Sequence, residues 1–190
     1  RIGQSSEAVE LVLPAYRLLD ALYEQFVDVP EYGEQLGICC EVLAHAHMLR
    51  DDRIQAKRFG SIAVEQFQEL AELNPAIGKY RQRLAMAQGR VAELLSREKD
   101  YENALKLVGL AIQSLKTLAI EFPKSGSYQA SLARLLVTQS RILVDSKQPE
   151  LAKAARQETV TVWEATIKLE ANPRYQYQLA RFYAESLSQL

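Results

Sequence analysis

Tyr80-Arg81-Gln82-Arg83-Leu84-Ala85 returns 48 residues later as Tyr128-Gln129-Ala130-Ser131-Leu132-Ala133. The same wording precedes it at Tyr32-x-x-x-Leu36-Gly37 and follows it at Tyr175-x-x-x-Leu179-Ala180, so the tyrosines are 48, 48 and 47 residues apart. A second column, Ala8, Ala56, Ala104 and Ala152, keeps a spacing of 48 throughout. Two parallel columns in one period mark an internal repeat, and a repeat overrides any local reading of the chain.

Each period reads as two helices. Between the tyrosine opening and the alanine column lies a short polar turn: Asp51-Asp52, Glu98-Lys99-Asp100, or Ser146-Lys147-Gln148-Pro149. After the alanine comes a long apolar-periodic run that ends at Asn74-Pro75, Phe122-Pro123 or Asn172-Pro173, where the residue before proline disfavours helix. The spacing predicts helices over 32–50, 53–73, 77–97, 101–121, 127–145, 150–170 and 174–190. A first helix spans Ser5–Val27, in which Pro14 marks either a kink or the true start. No stretch alternates long enough to be a strand. The expected fold is all-α: about eight antiparallel helices in one domain over residues 1–190. Full hairpins span 30–73, 77–122 and 126–171, with half repeats at 5–27 and 174–190.

Small residues in the alanine column suit close helix crossings, and Gly37, Ala85, Ala133 and Ala180 fill the same role on the partner helices. The prolines stand five residues before Tyr80 and Tyr128 but two before Tyr32 and Tyr175. This drift predicts that packing fixes the columns while the connectors trade helix for loop.

Composition narrows the function. A net charge of −1 argues against a general nucleic-acid binder. Cys39 and Cys40 are adjacent and cannot build a disulfide framework. No apolar run reaches the roughly 20 residues of a membrane span, and the N-terminus is no signal peptide, so a cytoplasmic location is expected. The chain does not begin with Met and starts and stops inside the repeat, as a piece of a longer protein would.

The second-helix pattern Tyr101-Glu102-Asn103-Ala104 with Val108 and Ala111, and the small positions Ala56, Gly60 and Ala63, resemble the tetratricopeptide repeat family. That family's unit is about 34 residues. Here the unit is longer by two heptads, placed as two extra turns on each helix. Such long units look like the repeats attached to planctomycete-type bacterial serine/threonine kinases. The resemblance implies a right-handed superhelical solenoid whose first-type helices line a concave face that binds peptides or proteins. The third hairpin departs from the pattern at Arg156 and Thr159.

On that implied inner face, one stripe of the 77–97 helix carries Lys79, Arg83, Met86, Arg90, Glu93 and Arg97. The aligned stripe of the next helix reads Ser127, Ser131, Arg134, Thr138, Arg141 and Asp145, the last helix offers Arg174, Gln178, Arg181 and Glu185, and the first, more apolar stripe reads Glu31, Gln35, Ile38, Val42, His45 and Leu49. Two readings stand: a solvated face with internal ion pairs, or a groove in which Lys79, Arg83, Met86, Arg90, Arg134, Arg141, Arg181 and His45 grip an acidic peptide. The family's known carboxylate-holding pattern does not carry over, because Gly89 and Glu93 occupy its places.

No catalytic or metal constellation is expected, and no cofactor. His45 and His47 are two apart and point to different helix faces, whereas metal-binding pairs prefer a spacing of three or four. His47 shares a leucine column and reads as core, as do Trp163 and the two cysteines. The leading expectation is therefore a non-enzymatic scaffold. The alternative is a domain that senses a small molecule for a signalling protein such as a kinase, and a helical lyase or hydrolase comes third. The apolar helix Ser5–Val27 lacks a preceding partner and is expected to dock on another copy, on the rest of a longer protein or on a ligand.

Overall fold

The computed structural model describes residues 2–187 and is all-helical. The elements are α1 (Ile2–Gln25), α2 (Pro30–Leu49), α3 (Arg53–Leu73), α4 (Gly78–Arg97), α5 (Tyr101–Glu121), α6 (Gly126–Asp145), α7 (Pro149–Leu169) and α8 (Pro173–Leu187). Among the described residues there is no strand, and no helix is long and apolar enough to cross a membrane. Helices α2–α3, α4–α5 and α6–α7 pair as hairpins, and each hairpin packs on the next through α3–α4 and α5–α6. Helix α1 packs on α2, α8 on α7, and α4 also meets α6 directly. The result is a solenoid in which α2, α4, α6 and α8 are the first-type helices and α1, α3, α5 and α7 the second-type.

The turn inside each hairpin repeats at atomic detail. Asp51, Lys99 and Lys147, 48 residues apart, all take left-handed backbone with φ of 57°, 65° and 59°. Around each, two amides fold back on the helix just ended. Asp52 N–H reaches the His47 carbonyl at 3.0 Å and Asp51 N–H the Met48 carbonyl at 3.2 Å, with equivalent pairs at Asp100/Lys99 and Gln148/Lys147. This double closure satisfies carbonyls that a helix end would leave bare. The next residue caps the following helix: Asp52 accepts from Gln55 N–H at 3.2 Å and Asp100 from Asn103 N–H at 3.3 Å. In the third hairpin proline at N1 takes over, since it needs no partner for a missing N–H.

The connectors between hairpins occupy residues 26–29, 74–77, 122–125 and 170–172. Their length changes by a single residue, a smaller trade than the proline drift suggests. Proline itself changes place, lying within the connector at Pro75 and Pro123 but opening the helix at Pro30 and Pro173. The shorter last connector explains the tyrosine spacing of 47. Helix α1 runs on through Pro14, whose ring is exposed, so this residue does not start the helix.

Three of the four members of the alanine column are core, Ala56 and Ala104 fully buried and Ala152 nearly so, while Ala8 is half-buried. On the first-type helices, Gly37 faces α3 so closely that a Cβ there would meet the Phe67 ring at 2.8 Å. Ala85 and Ala133 are fully buried in the same column, but Ala180 is exposed, because among the described residues α7 is the one second-type helix packed on α8 and it leaves this side uncovered. Thr159 and Thr166 replace apolar residues of α7's column without leaving a bare hydroxyl, since each donates to the carbonyl four residues back, at 2.8 and 2.7 Å. Complete burial of Phe67, Leu115 and Trp163 down the solenoid is worth about 2 kcal/mol each.

Candidate functional site

The first-type helices turn one face each into a shared cavity of about 240 Å³. Residues three, four and seven apart lie on one side of a helix, so α4 contributes Met86, Arg90 and Glu93, and α6 contributes Arg134, Thr138 and Arg141. Helix α2 supplies His45 and Met48, and α8 supplies Gln178, Arg181, Phe182 and Glu185. Gly89 lets α4 and α6 come together beneath, where a Cβ would stand 2.3 Å from Leu135 Cδ2.

Six of the eight residues singled out from the sequence line this cavity: His45, Met86, Arg90, Arg134, Arg141 and Arg181. Lys79 and Arg83 do not. Lys79 Nζ donates to Glu34 Oε2 at 2.8 Å, and Arg83 Nη1 lies 3.9 Å from Glu41 Oε2. The sequence stripe overlooked both carboxylates. They lie seven apart on α2, one column beside the stripe that carries His45, and both are buried.

Most of the basic charge has an internal partner. Arg181 Nε donates to Glu185 Oε1 at 2.8 Å, and Arg141 hydrogen-bonds the other oxygen of the same carboxylate. Burial alone would raise the Glu185 pKa, but the bonds from Arg141 and Arg181 hold it below the usual carboxylate range. Arg90 Nε stands 3.2 Å from Glu41 Oε1, yet that oxygen receives no well-directed hydrogen bond. Burial raises the Glu41 pKa against the opposing pull of Arg90, Arg83 and Arg134. Thr138 Oγ1 donates to Glu93 Oε1 at 3.0 Å.

Arg134 is different. It is solvent-accessible and, among the described residues, takes part in no ion pair within 4.0 Å. Loss of bulk water in the hollow and the charge of Arg90 both lower its pKa, while Glu41 and Glu93 pull the other way. A guanidinium remains charged in any such setting. It therefore stands as a bidentate donor without a carboxylate within ion-pair distance, in the lining of a hollow that also carries apolar side chains.

The apolar part of the lining was not read from the sequence as part of a site. Trp163 of α7 is buried and its Nε1–H has no partner among the described residues, yet the residue lines the cavity together with Met48, Leu135 and Phe182. A tryptophan at helical spacing reads as core, and Trp163 is also core, so no sequence signal separates the two roles.

The remaining candidates are packed. His47 is buried, stacks on Phe59 at 5.6 Å and bonds Asp52 through Nδ1 at 3.0 Å, whereas His45 faces the cavity, so the two imidazoles do point apart. Burial pushes the Cys40 thiol up to about 12 and raises that of Cys39, which leaves both thiols protonated and poor nucleophiles. Among the described residues no cluster of three or more His, Cys, Asp or Glu is arranged to hold a metal ion. No protein-family model matches the chain, and no curated protein matches it significantly.

Proposed function

We propose that the chain is a non-enzymatic interaction module of the tetratricopeptide-repeat type, which holds an acidic peptide or protein segment in the hollow of its first-type helices. The observation that carries this reading is Arg134. It is an arginine without an ion pair in the lining of a cavity shared by the four first-type helices and Trp163 of α7, together with Arg90, Arg141 and Arg181 and with apolar side chains. A carboxylate on Arg134 would gain a charge-assisted pair without breaking an internal one, and an adjoining apolar group would find Met86, Leu135 and Phe182. Sensing of a small molecule is less favoured, because the cavity is below the roughly 300–1,000 Å³ usual for such sites. Several of its walls, including His45, Arg134, Arg141 and Arg181, are also exposed.

Selection from a displayed peptide library, with affinities followed by Trp163 fluorescence, tests this. Binders are expected to share an acidic residue next to an apolar one. Arg134→Glu is expected to weaken them about tenfold or more, roughly the loss of one charge-assisted contact. Selected peptides with no acidic preference, or an unchanged affinity in Arg134→Glu, would remove the proposal.

A further inference from the structure

Glu41 is a carboxylate that the fold buries and then holds poorly. It is 6% exposed, its Oε1 lies 3.2 Å from Arg90 Nε without receiving a directed hydrogen bond, and its Oε2 lies 3.9 Å from Arg83 Nη1. Glu185 is the contrast, since Arg141 and Arg181 each bond one of its oxygens. The repeat does not call for an acid at this position, because Gly89 and Val137 occupy the same column one and two periods on. What surrounds Glu41 is the cationic wall of the hollow. Arg83 and Arg90 of α4 and Arg134 of α6 all pull on it, and Arg90 and Arg134 also line the cavity. Asp20 of α1 and Arg58 of α3 act on the neighbouring Cys40 instead. On its own helix, Glu34 two turns back is taken up by Lys79, and His45 one turn on faces the cavity.

An acidic segment seated on Arg134 brings a second negative charge to the same guanidinium groups. Two carboxylates that share one cluster of cations raise each other's affinity for a proton, and the one held less well takes it up. Here that is Glu41. The incoming group sits in an open hollow and meets the forked N–H donors of Arg134, whereas Glu41 has lost its water without gaining a directed bond. Burial already raises the Glu41 pKa. A proton from solvent on this carboxylate also releases Arg90 to the ligand.

We propose that Glu41 holds the place of the partner's carboxylate and surrenders its charge when an acidic segment binds, so that the hollow couples binding to the uptake of a proton. The inference rests on the reading of the hollow as a carboxylate site and adds its regulation: affinity rises as pH falls. A ligand carboxylate stays ionised down to about pH 5, which leaves a window of roughly pH 5–8 in which uptake by Glu41 and by His45 must be told apart.

The probe is an acidic peptide from the displayed library, beside the same peptide with its acid replaced by the amide. Titration calorimetry in buffers of different ionisation enthalpy counts the protons taken up. The parent protein is expected to take up close to one proton per acidic peptide, and to bind up to about tenfold more tightly for each unit that pH falls in this window. Glu41→Gln keeps the shape of the side chain. It is expected to bind about tenfold more tightly than the parent near neutral pH, and to take up no proton beyond the share that His45→Gln removes. The amide peptide is expected to cause no uptake. Circular dichroism confirms the fold of Glu41→Gln, and uptake by the parent and His45→Gln proteins tests the coupling without that variant. Acidic peptides that bind through Arg134 with no proton uptake, with uptake unchanged in Glu41→Gln, or with uptake that vanishes in His45→Gln overturn this inference and leave the reading of the hollow intact. A library that yields no acidic binder removes both.

Discussion

Asp51, Lys99 and Lys147 carry side chains where the backbone favours glycine, at a cost of about 1–2 kcal/mol each. Lys99 and Lys147 are exposed and make no hydrogen bond or ion pair through their side chains among the described residues, so little offsets that cost. Lys99→Gly is expected to stabilise the protein by about 0.5–1 kcal/mol once the greater freedom of an unfolded glycine is deducted. Chemical denaturation would show the shift, and a lower midpoint would contradict it. These positions also mark where reading single residues from the sequence stops. The repeat placed a turn at Asp51, Lys99 and Lys147 but gave no sign of left-handed backbone, because glycine, its usual marker, is absent from all three. Likewise, Arg90 and Arg83 read as available cations because Glu41 belongs to another helix, 49 and 42 residues away in the chain.

At the scale of the helix, two glycines predict opposite outcomes. Gly109 lies inside α5 with nothing within 4 Å of a would-be Cβ. Gly109→Ala is therefore expected to stabilise by about 0.5–1 kcal/mol through helix propensity alone. Gly89 gains the same propensity, but its new methyl would stand 2.3 Å from Cδ2 of Leu135, a buried side chain that would have to leave its place between α4 and α6. Overpacking of about 1–3 kcal/mol outweighs that gain, so Gly89→Ala is expected to lower the urea midpoint. It should also weaken peptide binding, since it forces apart the helices that hold Arg90 and Arg134. The helices themselves were legible because their apolar period, prolines and polar turns agree, and α3 and α5 fall on their expected bounds. The Gly89–Leu135 contact was not legible, because it joins two first-type helices of different hairpins, and a period describes one unit at a time.

Across the whole molecule, α8 is held to its neighbours in part by one carboxylate, Glu185, shared between Arg141 of α6 and Arg181 of its own helix. Because the folded pKa of Glu185 is depressed, its contribution is present above the unfolded carboxylate range and is lost as pH falls through the lower folded value. Amide hydrogen exchange in α8 should therefore accelerate at acid pH beyond its intrinsic change. Glu185→Gln should show the faster exchange already at neutral pH and lose its difference from the parent protein in acid. Equal exchange at neutral pH would contradict this. The solenoid's path was legible from two columns of residues, whereas the hollow depended on how four faces converge, which no column states. The constant period has one more consequence. Helices α4 and α5 with the connector after them fill residues 78–125, one full period, so a chain lacking them hands α3 straight to α6, with Gly126 in the place of Gly78 and Tyr128 in that of Tyr80. This abridged protein is expected to keep a cooperative thermal transition and an unchanged helicity per residue by circular dichroism. The proposed peptide binding would be lost with Arg90, leaving a molecule whose length can be edited one module at a time without inventing a new seam.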